Sequence, residues 1–276
     1  CQALVRQIED KQSEVEVLDP VQAADRYLSI LENRVKDTSG LKLPWAVFHP
    51  FAKSIPAGSL IALLGNPGAG KTAFLECLSE LWARQGRTGI LFHNENSTQY
   101  MLDRRTVRWA NNISYDKLVD GTLEENEWQE VFKAWQSISA WSGKLYLVDA
   151  IGWPMSKVTS TIRRLVWKEK IDFVVLDYLN KVKFDDRSLG LNTAQMRGQD
   201  VEDFKIVVQT YGLTGIIAGQ FDKASKRANK RYISDSRDTG ELEDKAQLGL
   251  ILDREDDNNY TMAETVNVRI AKCNFG

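Results

Sequence analysis

Long apolar runs, cysteine and histidine are all scarce in this chain of 276 residues. No apolar stretch approaches the roughly 18–20 residues of a membrane-spanning helix, and the opening residues CQALVRQIED lack the order of a secretory signal. The sequence has three cysteines and two histidines, too scattered for a zinc site or a disulfide framework: Cys1, Cys77, Cys273, His49 and His93. The composition therefore predicts a soluble, cytoplasmic globular protein with no membrane partner.

An excess of one charge is also lacking, since the formal net charge is -2. A hydrophobic content of 43% suffices for a packed core. Because the overall field of such a protein is weak, a polyanionic partner must be bound by a local basic patch. The length fits one large domain or one domain with an appendage. The missing initiator methionine and the abrupt end at Gly276 predict a fragment, or the ordered part, of a longer chain.

The first 40 residues are predicted to form a separate linker segment with one amphipathic helix. Asp19-Pro20 is a helix-start signal, and Thr38-Ser39-Gly40 ends the periodic pattern. Apolar residues recur between them at spacings of three and four, which gives one narrow stripe: Val21, Ala24, Leu28, Leu31 and Val35. Such a stripe docks either on a neighbouring subunit or on the chain's own core, and the sequence leaves both open.

Residues 41–276 are predicted to form one α/β domain. Short apolar runs, typical of strands buried on both faces of a parallel sheet, occur at residues 60–64, 90–92, 145–148, 173–176, 213–218 and 248–252. Longer amphipathic stretches lie between them, near residues 72–85, 98–110, 125–140, 155–169 and 193–210. This order predicts a mostly parallel central sheet with helices on both faces.

Residues 65–72, GNPGAGKT, match the P-loop pattern and lie between a predicted strand and a predicted helix. Glycines let backbone N–H groups face phosphates, and the helix N-terminus adds partial positive charge. Lys71 is expected to reach the β- and γ-phosphates, and the Thr72 hydroxyl to bind Mg²⁺. The predicted phosphate-binding residues are Gly65, Asn66, Pro67, Gly68, Ala69, Gly70, Lys71 and Thr72.

A carboxylate that orients the metal is expected at the end of a neighbouring buried strand. Asp177 ends the apolar run of residues 171–177, IDFVVLD, which is a Walker B pattern. Asp177 therefore completes the predicted nucleotide site, and Thr72 and Asp177 form the predicted metal site.

Hydrolysis also requires a base that polarises water. Glu95 follows the first strand after the P-loop helix, and a strand next to the P-loop strand would aim its terminal carboxylate at the γ-phosphate. Asp149, at the end of another strand, is a rival. Gln220 ends a further strand, where its amide would sense the γ-phosphate. The predicted catalytic residues are thus Lys71, Glu95 and Gln220, with Asp149 open as an alternative base.

At these positions the chain resembles the ATPase domain of the DnaB family of replicative helicases, which has a RecA-like fold. Residues 177–180, DYLN, are similar to the family's D-Y-L-Q, and residues 93–96, HNEN, stand in the place of its S-L-E-M. Glu95 thereby falls on the family's catalytic glutamate. Residues 121–128, from Gly121 to Trp128, are similar to its G-x-L…W stretch.

Two further blocks extend the resemblance. Gly219-Gln220 stands where the family has its S-Q switch glutamine. Residues 234–243, SDSRDTGELE, are close to the family's S-D-L-R-E-S-G-x-I-E. This second block is the most discriminating, because it is long, polar and not needed by a generic RecA fold.

The resemblance implies a ring-shaped hexamer that binds ATP and Mg²⁺ between subunits and threads single-stranded DNA through its centre. The helix in residues 1–40 then matches the family's linker helix, and a primase or a loader protein becomes a possible partner. The family's N-terminal helical domain has no counterpart in this sequence. The chain is therefore either an excised ATPase domain or a divergent, phage-like relative.

One position departs from the family. The family ends this region with K-x-R-N-G, whose Lys and Arg act on the neighbouring subunit's γ-phosphate. Lys272 keeps the Lys, but Asn274 stands where the arginine finger belongs. Asn supplies no fixed cationic fork, and an arginine finger is worth about 10³–10⁵ in rate. Fast coupled hydrolysis is therefore in question at this position.

A local basic stretch follows Gln220 and is the predicted phosphate-backbone contact. The family's central-channel loops fall in this region. The predicted DNA-binding residues are Lys223, Lys226, Arg227, Lys230, Arg231, Arg237, Asp238 and Gly240. A second candidate runs from Lys181 and Lys183 to Arg187. Residues 223–231 interleave no aromatic side chains with the cations, so the contact is expected to be directed at the backbone and largely independent of base sequence.

Two functions remain open from the sequence. The first is an ATP-driven helicase motor on single-stranded DNA, favoured by the block at residues 234–243 and by the basic stretch. The second is a RecA/KaiC-like ATPase that acts as a switch or assembly module, favoured by Asn274. A small-molecule kinase is a weaker third, because neither a basic lid nor an acceptor site is evident.

Overall fold

The computed structural model describes residues 19–36, 40–52, 54–184, 192–221, 241–254 and 265–275. The chain divides into two units, residues 1–40 and 41–276. In the first unit, helix α1 spans Pro20–Lys36, close to the predicted bounds. The Asp19 carboxylate caps it by accepting hydrogen bonds from the backbone N–H groups of Val21 (2.8 Å) and Gln22 (2.9 Å).

The second unit is built on a sheet whose strands are β1 (Leu60–Gly65), β2 (Gly89–His93), β3 (Leu145–Asp149), β4 (Phe173–Asp177), β5 (Thr214–Gly219), β6 (Leu248–Arg254) and β7 (Val266–Cys273). Its helices are α2 (Lys71–Arg84), α3 (Thr98–Trp109), α4 (Tyr115–Val119), α5 (Glu125–Ser139), α6 (Met155–Val166), α7 (Thr193–Thr210) and α8 (Glu241–Lys245). The six predicted strands and the five predicted helices of this unit are all present. Strand β7 and the short helices α4 and α8 had not been predicted.

The seven strands of the described sheet have the order β3-β2-β4-β5-β1-β6-β7. All neighbouring pairs are parallel except β6 with β7, so the mostly parallel sheet is confirmed. The expectation that β2 lies beside the P-loop strand is wrong, because β4 and β5 separate β2 from β1. Strand β4 is also not an immediate neighbour of β1, since β5 lies between them.

Helices cover both faces of the sheet, because the central strands are apolar on both sides. On one face, Ile162 of α6 and Phe204 of α7 pack in a core with β4 and β5 residues. On the other face, Trp82 of α2 contacts the Phe173 ring with centroids 5.0 Å apart. Phe173 lies so close to Gly89 that a Cβ there would come within 2.2 Å of its ring. Glycine at this position therefore permits the two strands and the aromatic pair to pack together.

The C-terminal ends of the parallel strands lie at one end of the sheet, and the predicted site residues come together there. Asn66 follows β1, Glu95 lies two residues after the end of β2, Asp177 is the last residue of β4, and Gln220 follows β5. Helix α2 begins at the same end. Within the part of the chain that the structure describes, none of the helices combines the length and apolarity needed to cross a membrane.

Candidate nucleotide-binding site

The P-loop adopts a backbone that requires glycine at two positions. Gly68 and Gly70 have φ values of +78° and +92°, in the left-handed region that other residues rarely adopt. Gly70 also occupies the N-cap of α2 and offers no capping side chain. The first N–H groups of α2 therefore lack a side-chain acceptor from the cap, and they are available to bind an anion.

Lys71 lies across the inside of this loop. Its side chain is buried, and its ammonium donates hydrogen bonds to the carbonyl oxygens of Gly65 and Asn66, both at 2.9 Å. A flexible lysine is thereby held at the mouth of the anion site formed by the α2 N-terminus. This position fits a cation that contacts the phosphates of a nucleotide.

Thr72 and Asp177 are in contact although two different segments carry them. The Thr72 hydroxyl lies close enough to the Asp177 carboxylate to favour its charged form. Burial raises the pKa of Asp177 from 3.8 to about 6; Thr72 and Lys71 act against this shift, and Glu95 and Glu76 add to it. Among the described residues, Asp177 Oδ1 has no hydrogen-bond partner. A buried carboxylate oxygen with unused acceptor capacity, next to a hydroxyl, fits a Mg²⁺ site.

Asn94 ties the end of β2 to the end of β4 by three hydrogen bonds. Its backbone N–H donates to the Asp177 carbonyl at 3.0 Å. Its side-chain amide donates to the Tyr178 carbonyl at 2.9 Å and accepts from the Tyr178 N–H at 2.8 Å. The amide thus extends the β2–β4 ladder beyond the last paired residues, His93 and Asp177. Sequence reasoning missed this role, since a single Asn after a strand is most often a turn residue.

The two candidates for the catalytic base, Glu95 and Asp149, have different surroundings. Glu95 is exposed at the site edge and close enough to Asp177 to raise the pKa of that carboxyl. Asp149 ends the edge strand β3, which β2, β4 and β5 separate from the P-loop strand. The Asp149 carboxylate accepts the Ile151 N–H at 3.0 Å and so closes a turn. The geometry favours Glu95 over Asp149 as the base.

Gln220 follows the strand that lies between β1 and β4. Gly219 pairs with Leu64 of the P-loop strand, so Gln220 emerges beside the loop. The next residue, Phe221, is fully buried. The predicted position of Gln220 at the same end of the sheet as Lys71 and Asp177 therefore agrees with the geometry.

Comparison with known proteins identifies the family. Residues 46–276 match the family described as DnaB-like helicase C-terminal domain. The chain belongs to this family. The resemblance inferred from the sequence motifs is thereby confirmed.

Two curated relatives are both described as replicative DNA helicases. The replicative DNA helicase DnaC of Bacillus subtilis (strain 168) is 25% identical over 242 residues, which are 87% of this chain and 52% of that protein. The replicative DNA helicase DnaB of Treponema pallidum (strain Nichols) is 24% identical over 127 residues, 46% of this chain and 28% of that protein. The chain thus spans about half the length, or less, of these relatives.

Two solved structures share the fold. The ATPase domain of G40P superposes with a TM-score of 0.77 at 18% identity, covering 91% of both chains. A DnaB-like replicative helicase, studied with its interactions with primase, gives a TM-score of 0.77 at 19% identity, covering 99% of this chain and 67% of that one. The predicted RecA-like fold is therefore confirmed as that of DnaB-like ATPase domains.

The two residues predicted to act on a neighbouring site lie far from the P-loop of their own DnaB-like domain. Lys272 pairs with Gly249 near the start of β6, and the Asn274 N–H donates to the Gln247 carbonyl at 2.9 Å. Strand β6 runs parallel to β1, so both residues lie near the N-terminal ends of these strands. The P-loop lies at the opposite, C-terminal end. They cannot serve their own P-loop, so a role toward a neighbouring subunit stays a prediction.

The predicted DNA-binding residues of this DnaB-like chain fall outside the described residues: Lys223, Lys226, Arg227, Lys230, Arg231, Arg237, Asp238 and Gly240. Arg187 of the second candidate does so as well. Lys181 and Lys183 are described, and both are exposed just beyond β4. Their part in DNA binding stays a prediction.

A buried ion cluster links the helix after the P-loop to the helix after Glu95. Glu80 of α2 accepts hydrogen bonds from Arg105 Nε (2.9 Å), Arg108 Nη2 (2.7 Å) and the Trp109 indole N–H (2.9 Å). Glu76 accepts from Arg108 Nη1 at 2.8 Å, and its pKa is raised because burial outweighs the arginines. Glu76 and Glu80 lie one turn apart on α2, and this spacing is the sequence signal for the cluster.

Proposed function

We propose that this chain is the ATPase motor of a DNA helicase, which hydrolyses ATP with Mg²⁺ and moves along single-stranded DNA. The observation that carries the proposal is the contact between Thr72 and Asp177, next to the Lys71 ammonium and a helix N-terminus. Membership of the DnaB-like helicase C-terminal domain family supports the same function.

Residues 65–72 would hold the nucleotide phosphates. The N–H groups at the α2 N-terminus donate to phosphate oxygens, and Lys71 exchanges its carbonyl partners for the β- and γ-phosphates. When bound, Mg²⁺ would neutralise charge on the phosphate oxygens. The Thr72 hydroxyl would bind that ion directly, and Asp177 would orient its remaining ligands.

Glu95 would act on the attacking water. Its carboxylate accepts the proton as the water attacks the γ-phosphate, a role that needs an accessible carboxylate beside the metal partner Asp177. Gln220, which emerges between β1 and β4, would sense the γ-phosphate with its side-chain amide.

Assembly into a ring, expected to be a hexamer, would complete each site. Lys272, at the end of the sheet opposite its own P-loop, would reach the γ-phosphate of a neighbouring subunit. Asn274 offers no cationic fork there, so hydrolysis should be slower than in a relative with an arginine. DNA would contact Arg237, Asp238, Gly240 and the basic residues between 223 and 231. A primase, as named for one structural relative, is a candidate partner.

A pair of substitutions tests the proposed chemistry. Lys71→Ala should abolish ATP hydrolysis and weaken nucleotide binding, because Lys71 contacts the phosphates before and during reaction. Glu95→Gln should keep ATP binding and lose hydrolysis, because the amide cannot accept a proton. Asp149→Asn is the matched control and should hydrolyse ATP at the normal rate. Normal turnover by Glu95→Gln, with loss in Asp149→Asn, would assign the base to Asp149 instead.

A second function, a nucleotide-dependent switch or assembly module without unwinding, is favoured by Asn274 alone. The two functions differ in their response to DNA. A motor hydrolyses ATP faster when single-stranded DNA is added, whereas a switch does not. Strong stimulation supports the helicase, and an unchanged rate in an assembled ring supports the switch.

A further inference from the structure

Helix α6 carries cations and no acidic residue. Its charged residues are Lys157, Arg163 and Arg164, and all three are exposed. Its opposite side is buried against the sheet through residues such as Val158 and Ile162. All the charge on the exposed side of this helix is therefore positive.

The positive surface continues past the last turn of α6. Trp167 is 62% exposed and Lys168 is exposed beside it. Lys157 and Arg164 are seven residues apart and so lie on one face of the helix, and Lys168 follows directly after its C-cap, Trp167. The five residues Lys157, Arg163, Arg164, Trp167 and Lys168 are here called the α6 basic face. It extends over roughly 16 Å at 1.5 Å per residue.

Protein carboxylates do not neutralise this face within the described residues. Arg163, Arg164 and Lys168 form no ion pair there, while nearby Glu169 is engaged by Lys144 at 2.9 Å and by the Tyr146 hydroxyl. Asp172 is engaged by the Arg87 guanidinium at 3.7 Å. The two acids that follow this face most closely in sequence are therefore paired with other residues.

The stability of helix α6 explains only part of the distribution of its cations. Cations in the last turn, such as Arg163 and Arg164, interact favourably with the helix dipole. Lys157 lies in the first turn, where the dipole is unfavourable to a cation and where no acidic residue is present. The Lys157 ammonium lies 3.9 Å from the centre of the Trp153 ring, which holds it at the surface.

The same surface adjoins the exposed lysines beyond β4. The Lys183 N–H donates to the Trp153 carbonyl at 2.9 Å, and Pro154 forms an isolated parallel bridge with Lys183. A Cβ at Gly152 would lie 3.4 Å from the Lys183 ammonium. The segment after β4 thus places Lys183 beside the loop that leads into α6, and the Lys157 ammonium contacts the Trp153 ring of the same loop.

We propose that the α6 basic face binds the phosphate backbone of a single nucleic-acid strand, outside the candidate nucleotide site. Unpaired arginines and lysines in a row match regularly spaced phosphates. The exposed indole of Trp167 among them offers a stacking surface for an unpaired base, which an acidic protein partner would not require. This inference extends the DNA binding of the proposed function to another element and does not depend on ATP hydrolysis.

The test measures binding of oligothymidylate to the whole chain by fluorescence anisotropy at several salt concentrations. The triple variant Lys157→Ala/Arg164→Ala/Lys168→Ala should lower the slope of log affinity against log salt by about 2, at about 0.7 per lost contact with a single strand. The matched control, Lys42→Ala/Lys133→Ala/Lys205→Ala, removes the same charge elsewhere and should leave the slope unchanged.

Trp167→Ala should weaken binding without changing the slope, because stacking releases no counterions. An unchanged slope in the triple variant overturns the inference, and so does an equal decrease in the control. Loss of binding to polyglutamate with DNA binding intact would also overturn it, by assigning the face to an acidic protein. Failure of the inference alone leaves DNA-stimulated hydrolysis intact, whereas absence of any DNA binding by the unaltered chain removes the proposed function too.

Discussion

The hydrogen bonds of Asn94 predict that it positions Glu95 against Asp177. Replacing it, Asn94→Leu, keeps the number and branching of the side-chain heavy atoms and the backbone hydrogen bond to Asp177, but it removes both amide contacts with Tyr178. Leu is also the residue that the family has at this place in its S-L-E-M motif. The substitution therefore tests whether this chain depends on the Asn94–Tyr178 hydrogen bonds, which a leucine at this position of the family motif cannot form.

The magnitude follows from burial. Asn94 is 5% exposed, so water replaces neither lost hydrogen bond well. At about 1–2 kcal/mol for each, the free energy of unfolding should fall by about 2–4 kcal/mol. For a domain of this size the melting temperature should fall by roughly 4–16 °C. Because a shift of about 1 Å in a catalytic group lowers rates by about 10²-fold, kcat should fall by about 10–100-fold.

The assay is ATP hydrolysis together with thermal unfolding. The KM for ATP should change little, since the Lys71 contacts and the α2 N-terminus are untouched. The second variant, Asn94→Asp, keeps the acceptor for the Tyr178 N–H but sets a buried carboxylate against the Tyr178 carbonyl, so it should lower the melting temperature at least as much. Asn111→Leu is the control: this exposed residue makes one hydrogen bond, to Glu130 at 3.3 Å, and should change neither value. Unchanged kcat and melting temperature in Asn94→Leu would refute the reasoning.

Two further predictions concern stability and assembly. Glu80→Ala should lower the free energy of unfolding by about 3–5 kcal/mol, because it leaves the buried Arg105 guanidinium without its carboxylate; thermal unfolding measures this, and a normal melting temperature would contradict it. Removing residues 1–37 should reduce the assembly that a non-hydrolysable ATP analogue and single-stranded DNA promote, because it removes the apolar stripe of α1. Light scattering measures the assembly, and equal masses with and without the segment would show that α1 does not dock between subunits.

The sequence predicts the strands whose apolar runs are unbroken, since burial on both faces leaves no polar positions. Strand β7 was not predicted because it alternates: Val268 and Ile270 are partly buried, whereas Asn267, Arg269 and Ala271 are exposed. That period-two pattern is typical of a strand with one buried face and was present in the sequence.

The order of the strands could not be read from the runs themselves. Parallel strands are joined by crossovers, so sequence neighbours such as β1 and β2 need not pair, and here they do not. The P-loop was predictable because its residues are local. The contact between Glu80 and Arg105 joins residues 25 apart on different helices, and only the packing of α2 against α3 brings them together.

The location of Gln220 limits how this residue can respond to a nucleotide. Strand β5 is hydrogen-bonded to a neighbour on each side, and Phe221 is fully buried directly after Gln220. The backbone of Gln220 is thus fixed on one side by the hydrogen bonds of β5 and on the other by the buried Phe221. It cannot shift without breaking hydrogen bonds of the sheet or exposing the Phe221 side chain. A γ-phosphate sensor at this position, as proposed for Gln220, would therefore answer by rotating its half-buried side chain about χ angles rather than by moving its backbone.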